Sequence, residues 1–127
     1  MKVLALDYGD ARTGVAVSDP TGTIARPVGV VERAGTRAGL RRIRQLVREH
    51  AAERVVVGLP LTLRGERGEQ ARKTEVFLAA LRHELDVPVE AYDERFTTAL
   101  AGRAGAPPDD ARAAAVLLEG YLQRVRG

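Results

Sequence analysis

Three acidic residues stand where a chain of alternating strands and helices displays chemistry: Asp7, Glu94 and Asp110. Asp7 ends the apolar run Lys-Val-Leu-Ala-Leu-Asp, and ligands of open α/β sheets gather at the carboxyl ends of strands. Glu94 closely follows a second strand-like run, within Asp93-Glu94-Arg95, and Asp110 begins the last helical stretch. Carboxylates converging from separate elements repel one another unless cations hold them, which makes Mg²⁺ or Mn²⁺ the natural ligand of such an all-oxygen set. Two ions about 3.5–4 Å apart would stabilise the attacking and leaving oxygens of a phosphodiester displacement. Each acid also has a plainer role open to it: turn former, surface ion pair or helix cap. Their joint placement is what points to chemistry.

Two groups of cations could serve a polyanionic substrate. Arg64 and Arg67 lie in a polar loop after the strand Arg54–Gly58, and Arg72 and Lys73 follow at the start of the next helix. Such residues hold phosphates and so position a nucleic acid without reading its bases. Farther back, Arg37, Arg41, Arg44 and Arg48 are spaced four, three and four apart, which puts them on one narrow helical stripe. Like charges at that spacing cost a helix a little stability, and a bound polyanion would offset it. Arg41 and Arg44 are therefore expected nucleic-acid contacts, with a solvated helix face as the alternative.

The elements that must carry these residues follow from periodicity. Lys2–Asp7 is apolar on both faces, as in a central strand. Thr13–Ser18 and Ile24–Val31 follow after short turns, giving an antiparallel meander. From Thr36 to Glu53 the apolar spacing is helical, with Thr36 as N-cap. A strand at Arg54–Gly58, a helix at Gln70–Leu85, a strand at Val87–Tyr92, a short helix at Thr97–Arg103 and a helix at Asp110–Arg124 complete the chain. Alternation in the second half implies right-handed crossovers and parallel strands beside the meander. On the last helix, Ala111, Ala114, Leu117, Leu118, Tyr121, Leu122 and Val125 share one broad face with Asp110, turning that acid toward the sheet. The expectation is a single α/β domain over residues 1–127, with a mixed five-stranded sheet flanked by helices.

Composition narrows the function. The chain has 127 residues, 45% hydrophobic and 29% charged, with no cysteine, so thiolate nucleophiles and cysteine-held metal centres are excluded. Its net charge is +3, and 18 of its 20 basic residues are arginine, whose planar fork matches phosphate. A coding preference for arginine and alanine would produce the same balance. His50 and His83 have no paired ligand spacing, and Ser18, the only serine, has no base nearby in sequence. Three tyrosines and two phenylalanines make no stacking platform for bases, so recognition should follow backbone shape. No apolar run is long enough to span a membrane, and Asp7 and Asp10 interrupt any signal-peptide core, so a cytoplasmic protein is expected.

The motifs also carry a family resemblance. Asp7-Tyr8-Gly9 with Arg12 and Gly14-Val15-Ala16-Val17-Ser18-Asp19 resembles the opening signature of the YqgF/RuvX family. Val57-Gly58-Leu59-Pro60-Leu61, Asp93-Glu94-Arg95-Phe96-Thr97-Thr98 and the segment from Asp110 to Leu122 resemble its remaining motifs, in order and over nearly the whole chain. The resemblance implies an RNase H-like nuclease with Asp7, Glu94 and Asp110 as catalytic, metal-holding acids. Asp7 would bridge two ions, with Glu94 and Asp110 completing their shells. Arg12 and Arg95, within these motifs, join the expected nucleic-acid contacts. Two substrates are implied, the 5′ end of precursor 16S rRNA or a four-way DNA junction, acted on by a monomer or a homodimer. The chain departs from the family at Ala11, where lysine is common, at Thr62-Leu63-Arg64-Gly65, and in a short segment from Ala99 to Asp109.

Two rival readings share some of these features. Phosphotransferases of the actin and sugar-kinase type open on a similar aspartate and glycine hairpin, but they clamp ATP between two such domains and this chain supplies one. A non-catalytic nucleic-acid-binding factor could keep the fold. Such a protein would gain affinity by losing the three acids, which this chain retains.

Overall fold

In the computed structural model, residues 1–59, 68–93 and 110–126 are described. Five strands form one mixed sheet: β1 (Val3–Asp7), β2 (Arg12–Ser18), β3 (Ala25–Glu32), β4 (Arg54–Leu59) and β5 (Val89–Asp93). Their order is β3-β2-β1-β4-β5, with β1, β2 and β3 antiparallel and β1, β4 and β5 parallel. Three helices cover it: α1 (Arg37–Glu49), α2 (Glu69–Glu84) and α3 (Asp110–Arg126). The expected mixed α/β sheet is therefore present. The expected short helix at Thr97–Arg103 lies outside the described residues.

Strand alternation divides the core into two layers. Leu4, Leu6, Val15, Val55 and Val57 pack against Ile43, Leu46 and Val47 of α1 and Phe77, Leu78 and Leu81 of α2. The other face, Val3, Ala5, Ala16 and Val56, packs against Ala114, Leu117, Leu118, Tyr121 and Leu122 of α3. β1 and β4 are buried on both sides, as their unbroken apolar runs require. Val125, expected on the buried face of α3, is 54% exposed, near the end of the helix. Among the described residues no helix is long and apolar enough to cross a membrane.

The boundaries of α1 have local causes. Thr36 caps the helix, its hydroxyl accepting the Gly39 amide at 3.1 Å. The helix stops at Glu49 rather than Glu53. Ala51 takes a left-handed backbone, φ 52°, and the chain closes with Ala52 N–H donating to the Val47 carbonyl at 2.9 Å and Ala51 N–H to that of Arg48 at 3.2 Å. That is a Schellman stop with alanine where glycine is usual, so the sequence carries no glycine to announce it. β5 likewise begins at Val89 rather than Val87. Pro88 has no amide to add to the ladder, while its carbonyl accepts Val55 N–H at 2.9 Å.

Candidate active site

Asp7 is the last residue of β1, and its Cα partner on β2 is Gly14. Val3 and Ala5 face α3, so Asp7, four and two positions on, turns to that same face. Gly14, paired opposite it, shares the face. Here the first turn of α3 descends onto the sheet: a Cβ built on Gly14 would overlap the carbonyl of Asp110 and lie 3.1 Å from the Ala111 nitrogen. The bare glycine lets two acids from elements a hundred residues apart share one corner of the sheet. Asp7 and Asp110 are both half-buried. The sequence places Gly14 in a strand and in the opening motif, without showing this contact. The signal that could have found its role is a glycine inside an otherwise β-branched and apolar run.

The far end of α3 is fixed by polar contacts. The Tyr121 hydroxyl donates to Glu90 Oε1 at 3.0 Å and accepts from Arg54 Nη1 at 3.0 Å, while Arg54 and Glu90 pair at 2.7 Å. Burial pushes the Tyr121 hydroxyl above its ordinary pKa. α3 is thus located at both ends, by a backbone contact at Asp110 and a hydrogen-bonded triad at Tyr121.

The turn after Asp7 is anchored from the opposite layer. Tyr8 alternates to the α1–α2 side and stacks on Phe77, with ring centroids 4.3 Å apart. Lys73 Nζ reaches back to Asp10 Oδ2 at 3.1 Å and lies 3.9 Å from Glu69. The Asp10 carboxylate, then Glu69, raises the Lys73 pKa. The sequence suggests Lys73 as a phosphate contact and gives no sign of Asp10 as its partner. Arg72, beside it, is exposed and has no side-chain partner among the described residues.

Arg12 opens β2, and its Nη1 lies 3.7 Å from Asp110 Oδ2. The Arg12 side chain is largely open to water and that of Asp110 partly so, so this pair contributes little stability but sets a cation beside an acid of the candidate site. Arg41 and Arg44 are elsewhere. They line the outside of α1, in the layer on the opposite face from α3, and Arg44 pairs with Glu84 of α2 at 2.9 Å. Glu94, Arg95, Arg64 and Arg67 lie outside the described residues. Glu94 directly follows Asp93, the last residue of β5, whose Cα partner is Leu59 at the end of β4.

The donor chemistry fits a divalent cation. Asp7 and Asp110 offer carboxylate oxygens alone, the ligand type preferred by Mg²⁺ and Mn²⁺ over softer metals. Among the described residues no three acidic or histidine side chains cluster as metal ligands. The third expected ligand, Glu94, is not one of those residues.

Comparison with known proteins agrees with the fold and the family resemblance. The model of the RuvX family, described as Holliday junction resolvase, matches residues 1–124. A protein of Desulforamulus reducens named "Putative pre-16S rRNA nuclease" is 34% identical, over 96% of this chain and 96% of its own length. A protein of the same name from Clostridium novyi is 36% identical, over 98% of this chain and 100% of its own. Among solved structures, T. thermophilus RuvC in complex with a Holliday junction substrate superposes with a TM-score of 0.65 at 23% identity, covering 100% of this chain and 96% of that one. That likeness establishes the RNase H-like resolvase fold. The chain belongs to the RuvX family.

Proposed function

We propose that this protein is a divalent-metal-dependent endonuclease that hydrolyses phosphodiester bonds in structured nucleic acid. The observation that carries the reading is the approach of Asp110 to Gly14, the residue paired with Asp7. A protein that only bound nucleic acid would gain nothing from placing two acidic residues on one corner of the sheet, because carboxylates repel phosphate. Family membership supports the same conclusion.

Asp7, Asp110 and Glu94 would hold the cation. Bound divalent metal in such a site supplies Lewis acidity and a more acidic water for attack on phosphorus. The chain's own cations would do the rest. Arg12 stands beside Asp110 and can turn to a phosphate oxygen, and Arg72 is free to take another. Lys73 must first leave Asp10, so its contribution is to tie the Asp7–Arg12 turn to α2 until substrate competes for it. Arg64, Arg67 and Arg95 would add backbone contacts from the segments that follow β4 and β5.

Two substrates remain within the proposal, the 5′ end of precursor 16S rRNA and a four-way DNA junction, with a cytoplasmic setting. A homodimer would suit the junction, which needs two coordinated cuts, and a monomer the rRNA. The test is cleavage of matched four-way DNA and precursor rRNA by the purified protein with Mg²⁺ or Mn²⁺. The reading predicts strand scission of one of them, lost on chelation. Tight binding of both with no scission under either metal would favour a non-catalytic binding factor.

A further inference from the structure

The arginine stripe of α1 lines a groove that the acidic site does not use. Arg37, Arg41, Arg44, Gln45 and Arg48 form one wall, Glu84 of α2 stands on the other side, and the groove encloses about 520 Å³. It lies on the helical layer opposite α3. Its cations are not equivalent. Arg44 is held by Glu84 at 2.9 Å, whereas Arg37, Arg41 and Arg48 have no side-chain partner among the described residues. Three uncompensated guanidiniums in one row lower helix stability slightly, with no contact among the described residues to offset it.

We infer that this groove binds the phosphate backbone of a second segment of the nucleic acid, away from the strand that is cut. The inference rests on the nuclease reading for its biological setting, but not for its test. Three features favour a phosphate backbone over an acidic protein partner. The lining contains no apolar side chain, whereas protein interfaces centre on an apolar core depleted of charge. The cations are arginines, whose forks match phosphate oxygens. Their row is long and regular: from Arg37 to Arg48 it rises about 16 Å at about 1.5 Å per residue, equal to about five nucleotide steps at about 3.4 Å. Glu84 faces the same groove and opposes an anion there, but its charge is already met by Arg44.

The test is binding rather than cleavage. Affinity of the full chain for a duplex of about 30 base pairs, DNA and RNA in turn, is measured against salt concentration in chelator, so that no catalysis is involved. Wild type is compared with Arg37→Gln/Arg41→Gln/Arg48→Gln and with Glu84→Gln. Each phosphate contact adds about 0.9 to the slope of log affinity against log salt for B-DNA. The triple variant should lower that slope by about 2 to 3, and Glu84→Gln, which frees Arg44, should raise it by up to about 1. Slopes within about half a unit of wild type in both variants, with circular dichroism unchanged, would overturn the inference. So would competition by polyglutamate of matched charge as effective as the duplex itself, which would mark the groove as a site for acidic protein. Failure of nuclease activity leaves these slopes untouched, so the two readings fail separately.

Discussion

Gly14 and Asp110 meet backbone to backbone, with no room for even one carbon between them. The contact joins β2 to the first residue of α3 and sets Asp110 beside the partner of Asp7. Gly14→Ala should therefore push the start of α3 off the sheet. We expect about 1–3 kcal/mol of lost stability, as for other overpacked sites. We also expect a fall in cleavage of at least about 100-fold, since a misplacement of about 1 Å costs that much. Thermal unfolding and single-turnover cleavage check both, and near-normal cleavage would show that Asp110 is not needed at that position.

Asp110 and its neighbour Asp109 should separate cleanly. Asp110 is half-buried on the sheet side of α3, in phase with the buried Ala114, Leu117, Leu118 and Tyr121. Asp110→Asn should abolish cleavage with little change in unfolding temperature. Asp109→Asn should leave activity nearly intact, because the sequence leads one to expect only a helix cap there, and asparagine caps about as well as aspartate. Inactivity of the Asp109 variant alone would assign the chemistry to Asp109 and overturn the helix phase.

The stop of α1 offers a gain of stability. Ala51 holds φ 52°, a region that costs an L-residue with a Cβ about 1–2 kcal/mol. Ala51→Gly removes that strain and gives back part of it as unfolded-state entropy, for a net stabilisation of about 0.5–1 kcal/mol. Denaturant midpoints measure it. A destabilised variant would mean that the Ala51 methyl group contributes packing that outweighs the strain.

Asp19 governs an acid-sensitive turn. Its carboxylate accepts from the Thr21 hydroxyl and from the backbone N–H groups of Ile24 and Thr23, which holds its pKa down at about 2. A carboxyl whose folded pKa is depressed stabilises the fold above its unfolded value and loses that contribution as pH falls through the folded one. The β2–β3 turn should therefore loosen between about pH 4 and pH 2. Asp19→Asn should remove that part of the pH dependence. Titration of the Asp19 carboxyl near pH 4 by NMR would contradict the assignment.

Much of this architecture is legible in the sequence because local signals and tertiary packing agree there. The unbroken apolar runs of β1 and β4 mark strands buried on both faces, and Thr36 announces the start of α1. Where one residue type does another's work, legibility fails. Ala51 ends α1 in a conformation usually given to glycine, so the helix reads four residues too long. Strand periodicity places Asp7 on a face, and helix phase turns Asp110 toward the sheet. That the start of α3 can come down beside the partner of Asp7 depends on Gly14, whose significance lies in what it lacks. Long-range pairs are the least legible of all: the Lys73–Asp10 and Arg44–Glu84 contacts join helices to distant segments, and no spacing rule encodes them.

On the reading proposed above, Asp7 holds the cation needed for phosphodiester hydrolysis. Its most direct test is Asp7→Asn, with cleavage rate and substrate affinity measured side by side under saturating Mg²⁺. The change keeps shape and removes one negative charge at the end of β1. Cleavage should be lost while affinity is equal or higher, because repulsion of phosphate falls with the charge. Cleavage within about tenfold of wild type, a barrier change of only about 1.4 kcal/mol, would contradict it.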